Sequence, residues 1–279
     1  SVAKLRDTHT GDTFCLRDTP LRLSPIPFPE AVASAAVVVK QRGEEDKLAA
    51  GLHKLHEEDP TFHFEYNSEL RQTLIHGMGE RHFEILLGRL TQKYGVHADL
   101  ARPRIAYRET FKGKAEGQGK HKKQSGGRGQ FGDCHIILEP FHDGDFEFVN
   151  EIKGGVIPRE YIPAVDGGIQ EAMAGGVIAS YPLVDLRARL TYGSYHDVDS
   201  SEMAFKIAGS MALKDGVRKA KPVLLEPVMK VEVVTPEDYS GDVIGDLNRR
   251  RGQIQGMEDG PSGKVITAEV PLAEMFGYA

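Results

Sequence analysis

The sequence predicts an α+β protein of several domains, in which two β-α-β-β-α units flank a central β-rich unit. Three observations carry this reading. Apolar residues switch between strand and helix periods in the same order twice. The proline-rich "SPIPFPE" (residues 24–30) and the pair Lys221-Pro222 punctuate the chain between periodic stretches. A length of 279 residues with 40% hydrophobic content supports two or three domains with their own cores.

The elements follow in order. Residues 1–23 hold short polar-apolar stretches around a "TGDT" turn, Thr10 to Thr13, and read as the tail of a β module. A linker covers residues 24–30. "AAVVVK" from Ala35 is a strand, and residues 44–56 form a helix with Leu48, Leu52 and Leu55 on one face. "FHFEY" from Phe62 and "TLIH" from Thr73 are strands. Residues 79–90 place Phe83, Leu86, Leu87 and Leu90 on one face of a second helix, and "GVHADL" from Gly95 closes as a strand. That order is the split-βαβ, ferredoxin-like pattern.

The central unit has strands near 104–110, 134–140 and 183–192, a helix over 158–173 and a second over about 200–219. The first helix carries Ile162, Val165, Ile169 and Met173, and Pro158 suits its first turn. The second has Met203, Ile207 and Met211 in one stripe, with Ala204, Ala208 and Ala212 beside it. After Lys221-Pro222 come a strand from Val228, a helix over 236–251, strands from Ile254 and Lys264, and the start of a helix at Leu272. This repeats β-α-β-β-α without a last strand. The expected domains are 1–23, 24–102, 103–221 and 222–279, read as a portion of a longer protein.

Composition narrows the function. Cys15 and Cys134 are far apart without a CxxC partner, which opposes a disulfide framework or zinc knuckle and fits a reducing compartment. No run of about 18 apolar residues spans a membrane, and the N-terminus lacks the apolar stretch of a signal peptide. A cytoplasmic protein without a membrane role is expected. Net charge is −6, yet Lys112, Lys114, Lys120, Lys122, Lys123 and Arg128 lie against the single acid Glu116 between Phe111 and Phe131. Such a stretch is either a solvated loop or a face for a polyanion.

Catalytic motifs fail on spacing. "GKAEGQGKH" from Gly113 has five residues between Gly113 and Gly119-Lys120, then His121, where a P-loop needs four and then Ser or Thr. Asp238 and Asp242 each begin a D-x-x-G, but both lie inside one amphipathic helix, and no N-K-x-D occurs. No nucleotide or metal site is expected. His53 and His56 are read as a solvated helix face without an H-E-x-x-H frame, and Cys134-His135 point to opposite faces of a strand.

Two segments remain. "GGRGQFG" (residues 126–132) is either a plain hairpin loop or a backbone built for close approach to a partner, with Phe131 available to stack on a base. "YGSYHDVDSSE" (residues 192–202) mixes Ser, His and Asp, but a triad needs three groups converging with an oxyanion hole, and no G-x-S-x-G elbow is present. Asp199-x-x-Glu202 has capping-box spacing, with Asp199 or Ser200 as the cap. Residues 193–197 are then a loop between strand and helix, with no catalytic residue expected and His196 able to stack or hydrogen-bond.

"IKGGVIPREYIPAV" (152–165), "GSYHDVDSSEMAFKIAGSM" (193–211), "PEDYSGDVIGDLNRRRGQI" (236–254) and "VPLAEMFGY" (270–278) resemble bacterial elongation factor G. The shorter "GMGERHFE", "YRET" and "GGRGQ" agree, so the resemblance runs through the chain in order. It implies a translational GTPase of five domains that moves transfer RNA and messenger RNA through the ribosome. This chain resembles the end of the second domain, the third and fourth, and most of the fifth. The third and fifth are ferredoxin-like in that family, the fourth is similar to the second domain of ribosomal protein S5, and a short β-barrel remnant precedes them. GTP and Mg belong to a GTPase domain outside this chain, and no cofactor is implied within it.

The resemblance implies a decoding-site tip of Gly126, Gly127, Arg128, Gly129 and Gln130 with Gly193, Ser194, Tyr195, His196 and Asp197. Lys120, Lys122 and Lys123 would contact RNA phosphates. The implied partner is the ribosome, with its RNA and the tRNA–mRNA pair, and the implied state is a monomer. Departures from the family pattern, at Arg81, Phe83 and the basic "HKKQS" (121–125), suggest a divergent paralogue. Alternatives are a recycling or ribosome-protection paralogue, or, in another class, a free-standing RNA-processing enzyme with an S5-like fold.

Overall fold

The computed structural model describes residues 8, 10–124 and 129–278. Before Ala33 the expected strands do not form among the described residues; a single antiparallel bridge joins Leu16 to Thr19. A single bridge is too little pairing to define a pair of strands.

The chain divides into two compact units: residues up to Ile105 together with those from Pro227, and Ala106–Glu226. The first begins with β1 (Ala33–Val39), α1 (Glu45–Glu58), β2 (His63–Asn67), β3 (Gln72–Gly77), α2 (Glu80–Tyr94) and β4 (Ala98–Ala101). The sheet order is β2-β3-β1-β4, antiparallel throughout. Leu48, Leu52 and Leu55 of α1 and Phe83, Leu86 and Leu90 of α2 are buried against Val37 and Ile75. The helical spacing thus delivers the expected core. Gly95, left-handed at φ 66°, ends α2.

The second unit contains β5 (Arg108–Phe111), β6 (Ala115–Lys123), β7 (Gln130–Pro140), β8 (Phe146–Asn150), α3 (Ile162–Gly175), β9 (Leu186–Ser194), α4 (Glu202–Lys219) and β10 (Pro222–Leu225). Its main sheet runs β6-β7-β9-β8, with β8 parallel to β9 and the other pairs antiparallel. The helices share one core with Ile136, Leu138, Leu186, Ala188 and Leu190 of the sheet. β5 and β10 form a separate antiparallel pair. The segment from Pro222 to Leu225, assigned by sequence to the last domain, therefore groups with Ala106–Glu226.

Within the basic stretch, Lys120, Lys122 and Lys123 lie on a strand rather than a loop: β6 pairs with β7 along its whole length. Its glycines explain why. A Cβ on Gly117 would fall 2.1 Å from the Ala212 carbonyl oxygen, and one on Gly119 1.8 Å from that of Ala208. The α4 backbone lies directly on β6. The stripe that packs is accordingly Ala204, Ala208 and Ala212, all fully buried, while Met203 and Met211 are 60% and 40% exposed.

Glu109 of β5 is fully buried. Its carboxylate accepts backbone N–H groups from Val177 (2.6 Å), Ile178 (2.9 Å), Ala179 (2.7 Å) and Tyr181 (3.2 Å). Burial works to raise its pKa, but the amide bonds outweigh it and hold the carboxyl below its ordinary value.

The remaining elements are β11 (Val228–Thr235), α5 (Ser240–Arg249), β12 (Gln253–Gly260), β13 (Gly263–Pro271) and α6 (Leu272–Met275). The sheet is β11-β13-β12, over a small core of Leu247, Ile266, Ala268 and Val270.

Candidate nucleic-acid interface

The β6–β7 hairpin sets Lys122 opposite Phe131 and Lys123 opposite Gln130. The segment from β9 to α4 runs beside it and is stitched to it. Phe131 N–H donates to the Asp199 carbonyl (2.8 Å), and Gly129 N–H to Asp199 Oδ1 (3.0 Å). Ser200 Oγ donates to the Phe131 carbonyl (3.0 Å) and accepts from His196 N–H (2.9 Å). Asp199 is therefore not the helix cap that its spacing suggested. Ser201 caps α4, its Oγ accepting from Ala204 N–H at 3.2 Å, because the Asp199 carboxylate is already engaged across the two segments.

This stitching fixes His196. Val198 N–H and Asp199 N–H both donate to Nδ1 at 3.3 Å. The neutral ring then carries its proton on Nε2, which is left as a donor, and the side chain is 58% exposed. A protonated ring would instead pair with Asp199 Oδ2, 3.6 Å from Nδ1. On the hairpin, His121 Nε2 lies 2.9 Å from Gln130 Oε1. With the imidazole donating, the Gln130 amide presents its NH2 group. Lys122, Lys123, Gln124, Gln130, Phe131, His196 and Asp199 line a cleft of about 260 Å3. Lys120, Lys122 and Lys123 are exposed, and no ion pair joins them among the described residues.

The expected site residues separate by role. Gln130, Tyr195, His196 and Asp197 are exposed, as are the three lysines, of which Lys120 sits further along β6 opposite Asp133. Gly129 and Gly193 serve packing: a Cβ on the first would meet the Asp199 carboxylate at 2.9 Å, and on the second the Asp133 carbonyl at 2.4 Å. Ser194 Oγ donates inward to Asp133 Oδ2 at 2.9 Å. Gly126, Gly127 and Arg128 lie outside the described residues. Sequence reasoning missed His121, Asp199 and Ser200 as positioning groups. Their partners lie across a hairpin, and only the histidine in an otherwise lysine-rich run hinted at one of them.

Elsewhere the chemistry is quiet. The Cys134 thiol is pushed up to about 12 by burial and the Asp133 charge. His53 is exposed, as expected, and lies edge-on to Phe64 at 4.7 Å, whereas His56 is half-buried with Nδ1 2.6 Å from the Phe62 carbonyl. Among the described residues no cluster of three His, Cys, Asp or Glu could hold a metal. No helix there is long and apolar enough to cross a membrane.

Three family descriptions match in chain order: Elongation Factor G, domain III, over residues 28–102; Elongation factor G, domain IV, over 103–221; and Elongation factor G C-terminus, over 223–279. The crystal structure of a protein from Thermus thermophilus is similar over 91% of this chain, with a TM-score of 0.76 and 45% identity. The chain corresponds to 38% of that protein's length. The uninterrupted succession of three matching domains, on the α+β architecture that each requires, places this chain in the elongation factor G family.

Proposed function

We propose that this chain is the ribosome-binding portion of a translation elongation factor. In this reading the tip of Ala106–Glu226 enters the small-subunit decoding site and promotes tRNA–mRNA movement. GTP hydrolysis by a domain outside these residues would drive the conformational change. The observation that carries the reading is the Asp199–Ser200 stitch, which gathers Gln130, His196 and the lysines at one end of a sheet.

The chemistry is positional. Lys122 and Lys123 neutralise phosphates without reading sequence. The His196 Nε2–H and the Gln130 NH2 group donate to sugar or base-edge acceptors. No bond is made or broken there; the tip occupies space and opposes back-slippage. In the full-length factor, His196→Ala is expected to slow translocation about tenfold, the worth of one hydrogen bond to a charged or exposed RNA group, while GTP hydrolysis stays unchanged. Equal loss of both activities refutes a positioning role. A second reading, a paralogue for recycling or ribosome protection, draws on His121 holding Gln130 and on Arg81. Ribosome splitting without translocation by the same factor would favour it.

A further inference from the structure

The sheet face of Ala106–Glu226 away from its helices carries a second feature. Residues paired in register share a face, so Gln118, His135 and Tyr192 form one row across β6, β7 and β9. Lys120, Asp133 and Ser194 form the next row, and Lys122 and Phe131 the one after. The Tyr192 ring sits 5.4 Å from that of His135 in an edge-to-face pair, and Tyr192 is 53% exposed. Asp133 is buried and engaged by Gln118 Nε2 (3.1 Å) and Ser194 Oγ (2.9 Å), and the exposed acid of this face, Glu116, lies in the row beyond Gln118, away from Lys120. Further from the tip on the same face, Arg187 pairs with Glu147 and Glu139, and Arg189 with Glu151.

An exposed aromatic ring on β9 thus shares a face with two lysines of β6, across the intervening β7 and about 12 Å from Lys120 by strand spacing, and no ion pair joins either lysine among the described residues. Lys120 and Lys122 are two residues apart, about 6.8 Å along a strand, which suits successive phosphates of an extended chain. We propose that this face is a stacking platform for single-stranded RNA. One unstacked base lies on Tyr192, and the chain crosses β7 so that phosphates of the following nucleotides lie on Lys120 and Lys122. Aromatic rings bordered by cations bind single strands in this way, with little sequence preference. The inference rests on the reading that the tip binds RNA, and adds a path leading away from it along the sheet.

The chain contains no tryptophan, so Tyr192→Trp introduces a single reporter. Titration of that variant with an eight-nucleotide oligouridine at low salt is expected to quench its emission at the concentrations at which the RNA binds. Tyr192→Leu should weaken binding about tenfold with an unchanged salt slope, and Tyr192→Phe should retain it. Lys120→Gln should lower the slope of log affinity against log salt by about 0.7. Circular dichroism checks that each variant folds. Binding that depends on His196 but leaves the tryptophan unquenched, or survives Tyr192→Leu, overturns the platform and leaves the tip reading intact. Absence of any RNA binding at low salt overturns both.

Discussion

Glu109 is a carboxylate held entirely by backbone amides, so its charge is stabilising only while it exists. Glu109→Gln replaces one of the two acceptor oxygens with an NH2 group, which leaves two backbone amides facing a donor and should destabilise Ala106–Glu226 by about 2–4 kcal/mol near neutral pH. The folded pKa lies below the unfolded value. The contribution is therefore full above the unfolded carboxyl pKa of about 4.3 and fades as pH falls through the lower folded value. Denaturant titrations of wild type and variant should show a constant gap from neutral pH to about 5, closing only in stronger acid. A gap that widens on acidification contradicts this assignment. At the tip, Asp199→Ala frees Gly129 N–H, and amide exchange of Gly129 should accelerate about tenfold. The neutral His196 ring is held by the backbone N–H groups of Val198 and Asp199 and should be less affected. Unchanged Gly129 exchange would show that the carboxylate does not hold the hairpin.

At the scale of elements, what decides α4 is the absence of side chains beneath it. Gly119→Ala should cost about 3 kcal/mol or more, since the obstacle is backbone that cannot rotate aside. Met203→Gln and Met211→Gln should stay within about 0.5 kcal/mol. Thermal unfolding of the three variants checks the order, and a costlier methionine change would reverse the face of the helix. The helices α1, α2 and α3 were legible because their leucine, phenylalanine and isoleucine stripes mark the buried face directly. In α4 the same rule offers two neighbouring stripes, one of Met203, Ile207 and Met211 and one of alanines, without choosing between them, because closeness there is achieved by alanine against glycine, which carries little apolar signal. β6 was unreadable for the same reason: alternating glycines on its inner face and lysines on its outer face look like a solvated loop. His196 stood out in the sequence as a polar ring on a loop, whereas its orienting contacts depend on the distant strand β7, to which Ser200 ties it.

At the scale of the molecule, Ala106–Glu226 has its own buried core, built among the described residues from its own elements. Expressed alone, it should unfold cooperatively with guanidinium. A gradual loss of signal would show that its core needs the rest of the chain. β5 and β10 place the two ends of this unit side by side. For the chain on either side, the folded unit is then equivalent to a loop of a few residues between Ile105 and Pro227. If the unit melts, that loop lengthens by about four to five doublings, and closing it costs the flanking unit about 3 kcal/mol in entropy. Stability would pass between the two through polymer statistics alone, so a Gly119→Ala lesion should lower the melting midpoint of residues it never touches.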